Sequence, residues 1–332
     1  MKKIINQPGD VVTQMVKGLA SAHADILAQV PDTQVLYRTV ETPNIVGIVS
    51  GGGSGHEPSH AGFVGKGMLS AAVSGEVFTS PTPDQIFEGI KAADNGAGVF
   101  LVIKNYTGDV MNFEIAQEFA EAEGIETAAI IVDDDIAMED STYTAGRRGI
   151  AGTVFMHKII GYYADQGKSL TELADIAVKV NNNLKSIGLA LSAATVPEVG
   201  KPGFDIAADE FEYGIGIHGE PGYRREKIKP ASEMAAELIA RLNEEFAWAE
   251  GNHYAVLVNG MGGTPLMELY LFWNDIHEQL TAAGLQIDFV KVGNLMTSLD
   301  MEGASLTLLK VPSEDAEWIT ALQAPVNTAA WG

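Results

Sequence analysis

Two histidines and a lysine–aspartate pair are the residues of this 332-residue chain whose settings could support chemistry. His218 lies in "YGIGIHGEPGYRRE", residues 213 to 226, with Gly216 two places before it and Gly219 directly after. An imidazole on so bare a backbone is either a turn histidine at a strand end or a group kept clear for a ligand. His56 lies in "SGGGSGHEPSHAGF", residues 50 to 63, a glycine run that follows an apolar strand and includes Gly53, Ser54 and Gly55. Consecutive glycines let a backbone approach a ligand closely and leave its N–H groups unobstructed, although a plain glycine turn would also use them. Lys104 ends the apolar run of "FLVIKNYTGDVMNF", and Asp109 follows a Thr-Gly pair ahead of a helical pattern. A solvated strand end would account for Lys104, and a helix N-cap for Asp109. Ligands of open α/β sheets nevertheless bind at strand C-termini, and His56, Lys104 and Asp109 all follow such ends, so the three could converge.

Familiar motifs come close to this pattern and fail. A P-loop needs Gly-Lys-Ser/Thr where this chain has Gly55-His56-Glu57. The dinucleotide pattern lacks its acidic residue at the end of a second strand. "HEPSH", residues 56 to 60, matches HExxH, but zinc binding needs both histidines on one helical face. Pro58 inside that helix would delete a hydrogen bond and cost ~3 kcal/mol. "VDDDIAMED", residues 132 to 140, could hold Mg²⁺ on its carboxylates, though acidic loops are expected in so acidic a chain. "NGMGGTPLMELY" joins a strand to a helix through glycines, as an anion cradle or as a tight turn. His23, His157, His253 and His277 fall on helical or strand patterns and read as structural.

These residues need elements to hold them, and the chain reads as strands alternating with helices, an α/β fold. Val12, Met15, Val16 and Leu19 recur at helical spacing behind Asp10 as N-cap. "TPDQIFEGIKAAD" predicts a helix with Thr82 as N-cap, Pro83 in its first position and Gln85 closing a capping box. "NIVGIVS" is a short apolar strand, while "AGVFLVIKNY", "ETAAIIVDDD" and "YAVLVNG" do not alternate and predict strands buried on both faces. In "EFEYGIGIH", Phe211, Tyr213, Ile215 and Ile217 alternate and predict one strand face, which puts His218 on the other face or in the turn. Helical patterns cover Thr171 to Asn183 and two stretches of the second half, "ASEMAAELIARLNEEFAWA" and "PLMELYLFWNDIHEQLTAAG". The breaker cluster "NNNLKSIG" and the Pro/Gly-rich "PEVGKPGFD" place a boundary near residue 185. Two α/β domains are therefore expected, 1–185 and 186–332, each a central sheet flanked by helices. The first would carry the glycine-rich stretch and the second the His218 loop.

Composition narrows the function. The net charge of −23, from 21 basic and 44 acidic residues, argues against nucleic acid and anionic membrane surfaces as partners. Without cysteine there are no disulfides or thiolate metal sites. "MKKIINQPGD" has too short an apolar stretch for a signal peptide, and no apolar run approaches the ~18–20 residues that span a bilayer. A cytoplasmic protein is expected.

Six stretches taken together, "GGGSGHEPSHAGFVGKGML", "SGEVFTSPTPDQI", "LVIKNYTGDVMNF", "RRGIAGTVFMHKI", "EYGIGIHGEPG" and "LVNGMGGTP", resemble the dihydroxyacetone kinase family. The likeness is to the substrate-binding subunit of the bacterial phosphoenolpyruvate-dependent enzyme, and it runs in family order along essentially the whole chain. It implies a phosphotransferase subunit in which His218 adds through an imidazole nitrogen to the ketone of dihydroxyacetone, giving a hemiaminal. A neutral imidazole, with its free pKa of ~6.5, is a good nucleophile near neutral pH. Glycerol has the hydroxyls but no carbonyl and would be rejected. By the same resemblance Gly53, Ser54, Gly55, His56, Lys104 and Asp109 bind the triose hydroxyls, with His56 as general base on the hydroxyl to be phosphorylated and Asp109 assisting. No metal or cofactor is expected on this chain. Mg-ADP/ATP would be held by a nucleotide-binding kinase subunit, since the chain ends at "NTAAWG" with no room for a nucleotide domain. A phosphohistidine-carrying subunit would recharge that nucleotide from phosphoenolpyruvate, and the chain would form a homodimer. The alternative is a related co-activator that senses dihydroxyacetone and works with a transcription factor. It too would keep His218, whereas catalysis specifically needs His56 and Asp109.

Overall fold

The computed structural model describes residues 2–40, 42–139 and 144–332. The chain opens with helix α1 (Val11–Ala22) and enters a six-stranded sheet made of β1 (Leu27–Gln29), β2 (Val35–Arg38), β3 (Gly47–Ser54), β5 (Ala71–Val77), β6 (Val99–Lys104) and β7 (Thr127–Val132). The two-residue β4 (Gly65–Lys66) lies outside it. The spatial order is β1-β2-β5-β3-β6-β7, antiparallel at the β1–β2–β5 edge and parallel from β5 through β3 and β6 to β7. Helices α2 (Pro83–Ala93) and α3 (Thr107–Ala122) are its crossovers; α4 (Thr153–Asp165) and α5 (Leu170–Asn182) follow β7.

A second six-stranded sheet comprises β8 (Leu184–Ala190), β9 (Glu210–Tyr213), β10 (Arg224–Lys227), β11 (His253–Gly260), β12 (Gln286–Gly293) and β13 (Gly303–Lys310). Its order is β10-β9-β8-β13-β11-β12, and only β11 and β12 run parallel. Helices α6 (Ala231–Phe246) and α7 (Leu266–Ala282) belong to it. The chain then returns: α8 (Glu317–Gln323) packs on α4, and β14 (Asn327–Thr328) pairs with β4. The architecture is α/β, with two helix-flanked sheets.

The strand period sorts the core into layers. Along β6, Val99, Leu101 and Ile103 meet α2 and α3, while Phe100 and Val102 face the other way. Along β11, Tyr254, Val256 and Val258 meet α6 and α7, while Ala255 and Leu257 join the same central core as Phe100 and Val102. That central core lies between the two sheets and is filled by α4, α5 and α8. The stacking brings the C-terminal ends of β3 and β6 close to the loop after β9.

Several local expectations need correction. The segment of Phe211, Tyr213, Ile215 and Ile217 is not one strand face: β9 stops at Tyr213, Gly214 turns the chain at φ +76°, and Ile215 and Ile217 fall into two further clusters. β7 is an edge strand with Ala129 and Ile131 exposed, not one buried on both faces. Thr82 and Asp10 stand at N-cap positions without side-chain capping bonds, and Gln85 accepts from the Gln34 backbone instead of closing a box. A true capping box forms at Ser169 and Glu172. No helix among the described residues is long and apolar enough to cross a membrane.

Candidate functional site

A cavity of about 610 Å³ opens between the two sheets, lined by Gly53, Phe78, Ser80, Tyr106, Thr107, Gly108, Asp109 and His218. Lys104, the last residue of β6, and Asp109, in the first turn of α3, meet at its floor: Lys104 Nζ lies 3.0 Å from Asp109 Oδ2, with both side chains almost wholly buried. Ser80 Oγ donates to Asp109 Oδ1 at 2.5 Å. The Asp109 carboxylate therefore points across to Ser80 and Lys104 and not back onto helix N–H groups, so neither a cap nor a solvated strand end accounts for the pair. Gly52 has a specific reason to be glycine, since a Cβ there would overlap the Lys104 ammonium.

The two histidines meet on the other wall. His56 Nε2 and His218 Nε2 are 3.1 Å apart. His56 Nδ1 donates to the Thr297 carbonyl at 2.7 Å, an oxygen that can only accept. His218 Nδ1 donates to Glu220 Oε1 at 3.0 Å, and the His218 backbone N–H donates to Glu220 Oε2 at 2.9 Å. Burial alone would raise the Glu220 carboxyl, but the hydrogen bond and charge of His218, with the nearby Arg148, hold it at about 2. With both Nδ1 protons so committed, two neutral rings would point lone pairs at each other. The 3.1 Å contact is a hydrogen bond only when one further proton lies between the Nε2 atoms. His56 holds such a proton poorly, because burial first, then the facing His218 and Lys104, push its pKa well below the usual histidine range. Once that proton leaves, His218 Nε2 carries a free lone pair at the cavity wall. Aromatic rings fix the pair: Phe78 stacks on His56 at 5.2 Å, while Tyr106 and Phe78 stand edge-on to His218 at 4.6 and 5.3 Å.

Of the expected triose-site residues, Gly53, Asp109 and His218 line the cavity. Lys104 and His56 touch them from behind and are fully buried. Ser54 is turned away, its Oγ donating to the Gly75 carbonyl at 2.7 Å. Gly55 uses its N–H on the Glu57 carboxylate. The glycine run is thus the end of strand β3 and not a free loop.

The competing motifs resolve into structural roles. His56 to His60 form a turn, not a helix, and His60 faces His157 at 2.8 Å instead of sharing a ligand with His56. His157 is structural, and burial together with Lys104 lowers its pKa to about 3. Asp133 receives a bond from Asn181, Asp134 accepts the Ile150 and Gly152 N–H groups, and Asp135 pairs with Arg148; Asp140 lies outside the described residues. The glycines after β11 pack against the segment entering β13: Gly262 bridges Met301, Gly263 N–H donates to the Met301 carbonyl and Thr264 exchanges hydrogen bonds with Gly303. No group of three or more potential ligands that could hold a metal occurs among the described residues.

Sequence reasoning missed Glu220, Phe78, Ser80 and Tyr106 as site residues. Glu220 carried a usable signal, a carboxylate two residues beyond a histidine in a glycine turn. Nothing local marked Phe78 or Tyr106, whose roles depend on the second sheet.

Comparison with known proteins gives the family. A Dak1 domain matches residues 17–330. The chain is 60% identical over 331 residues, covering 100% of itself and 99% of the relative, to the dihydroxyacetone-binding subunit DhaK of the PTS-dependent dihydroxyacetone kinase of Lactococcus lactis. It is 41% identical to the DhaKLM operon coactivator DhaQ of the same organism, over 99% of this chain and 100% of that one. The crystal structure of the dihydroxyacetone kinase from C. freundii in complex with AMP-PNP and Mg²⁺ superposes with a TM-score of 0.91 at 34% identity, over 99% of this chain and 60% of that one. The chain belongs to the dihydroxyacetone kinase family, through the Dak1 domain that spans nearly all of it.

Proposed function

We propose that this chain is the dihydroxyacetone-binding subunit of a phosphoenolpyruvate-dependent dihydroxyacetone kinase, a cytoplasmic phosphotransferase. The observation that carries the reading is the cavity with His218 on one wall and Asp109 on another, His218 being oriented by Glu220 through Nδ1. His218 Nε2 adds to the ketone carbon as the C=O π bond opens. The oxygen takes up the proton that lay between the two imidazoles, and the cationic ring is balanced by the Glu220 carboxylate. His56, whose weakened basicity makes it release a proton readily, serves this exchange. The captured triose then presents a terminal hydroxyl toward Asp109, which accepts its proton as the phosphoryl group arrives, a step that demands positioning more than a strong base. His56 and Asp109 thus divide the proton transfers, with Asp109 nearer the hydroxyl than the sequence alone suggested. Lys104 and Ser80 hold the carboxylate in place.

The phosphoryl donor in this reading is Mg-nucleotide on a separate kinase subunit, recharged by a phosphohistidine-carrying subunit. A homodimer belongs to the same reading. Exposed Leu266, Met267, Tyr270 and Leu271 on the first turns of α7 offer an apolar face for it on a chain of net charge −23. The co-activator alternative is disfavoured by the higher identity to the kinase subunit and by the placement of Asp109 at the cavity. The test is reconstitution. The chain, checked for dimer by sedimentation, is mixed with a nucleotide-bearing subunit and a phosphocarrier, and triose phosphate formation is followed. Turnover from phosphoenolpyruvate is expected with dihydroxyacetone and not with glycerol; binding of dihydroxyacetone without turnover would favour the sensor.

A further inference from the structure

Arg148 takes no part in the steps above, yet it is 1% exposed and its free nitrogen ends beside Glu220. It lies between β7 and α4, in the segment that crosses from one sheet to the other. Its Nε and Nη2 donate to Asp135 Oδ2 at 2.8 and 2.7 Å, and Nη2 also donates to the Gly214 carbonyl at 2.8 Å. The remaining nitrogen, Nη1, has no hydrogen-bond partner among the described residues. A Cβ on Gly216 would overlap Glu220 Oε2 and lie 2.7 Å from Arg148 Nη1, so guanidinium and carboxylate share the space that glycine leaves open. The bare backbone before His218 is therefore room for this pair as well as for a ligand. Arg148 is itself held from the seam: Asp135 N–H donates to the Arg148 carbonyl, and Ile136 N–H donates to Ser186 on β8. A buried guanidinium is costly without an anion; Asp135 is its ion-pair partner, and Glu220 is a second, more distant carboxylate on the side of the unpartnered nitrogen.

We propose that Arg148 is a positioning residue for capture at His218: it holds the Gly214 carbonyl at the start of the loop and stands behind the Glu220 carboxylate that orients Nδ1, so that Nε2 is the nitrogen offered to the ketone. The inference rests on the reading of His218 as nucleophile. It also couples the two sheets, because Arg148 and Asp135 belong to the crossing segment, while Glu220 and His218 belong to the loop after β9.

Glu220 is faced by His218 on its own loop, by Arg148, and by Tyr106 at the start of α3; Asp135 stands behind Arg148, and Lys104 and Asp109 lie beyond Tyr106. Removing the guanidinium takes away one of the charges that oppose burial at the Glu220 carboxyl, the other and larger being His218, so the carboxyl moves up. Its protonation, and loss of the acceptor for His218 Nδ1, then begin at higher pH.

The test titrates dihydroxyacetone labelled at its carbonyl carbon into the full chain across acid to neutral pH. Adduct formation is followed for wild type, Arg148→Met and Arg148→Lys, with thermal melts of each. In Arg148→Met the acid limb of the profile is expected to move up by about one unit, a tenfold change in proton affinity. Arg148→Lys, which keeps a cation but not the fork, is expected to restore part of that displacement. A wild-type profile in Arg148→Met, or in Arg148→Lys where the methionine variant does not fold, overturns the inference. Absence of any adduct in the wild type overturns the reading of His218 itself, and this inference with it.

Discussion

His56 and His218 carry the same side chain, and what separates them is the partner of the second nitrogen. Thr297 offers His56 a neutral carbonyl, whereas Glu220 offers His218 a carboxylate that can stabilise a cationic ring. The proposed division, capture at His218 and proton exchange at His56, follows from that difference. Asp109 is bound to Ser80 and Lys104, so Asp109→Asn leaves a buried ammonium without its counter-charge. Breaking a buried pair from one side costs about 3–5 kcal/mol, and loss of a proton acceptor typically lowers turnover ~10² to 10⁴-fold. Steady-state kinetics and melts of the reconstituted kinase should show both effects for Asp109→Asn, with the His218 adduct still forming. His56→Ala should slow adduct formation itself. Asp109→Asn with wild-type turnover would remove Asp109 from the mechanism. The sequence placed His218, His56, Lys104 and Asp109 at strand ends, which was enough to nominate them. It did not reveal that Lys104 is fully buried, because burial of a strand-end lysine depends on Gly52 from a neighbouring strand.

Among the elements, those with strong local signals were legible. The periodic helices and the continuous apolar strands β6 and β11 form where the pattern places them, because each buries alternate residues on two helical layers. The failures share a cause: tertiary context outweighs a local pattern. β7 has the same apolar run as β6 but lies at the sheet edge. The alternation from Phe211 to Ile217 breaks because Gly214 ends the strand and sends the following residues into other clusters. At the end of β3, glycine serves close packing against β6. A Gly52→Ala change would push the Lys104 ammonium off Asp109 and separate a buried ion pair, so it should cost stability as well as turnover. We expect a cooperative melt at a lower temperature than the wild type and turnover lower by about tenfold or more, equivalent to roughly 1.4 kcal/mol of barrier. Unchanged turnover would show that the ion pair is not needed for transfer.

On the scale of the whole molecule, the site exists because two sheets stack on a shared core and bring the ends of β3 and β6 against the loop after β9. Neither half holds both His218 and the Lys104–Asp109 pair, and the crossing segment with Asp135 and Arg148 ties them. Long-range placement of this kind leaves no trace in local spacing, which is why Arg148, Phe78 and Tyr106 were invisible while the two-sheet α/β plan was not. The central claim is covalent capture of a ketone at one imidazole across this seam. Its most direct measurement is the carbon NMR spectrum of carbonyl-labelled dihydroxyacetone with the intact chain. One protein-bound tetrahedral carbon signal per chain, distinct from the free ketone and its hydrate and lost in His218→Ala, is the predicted result, with labelled glycerol giving only its free signal. A spectrum showing only free ketone and its hydrate with the wild type, or a protein-bound tetrahedral signal that persists in His218→Ala, would contradict the account.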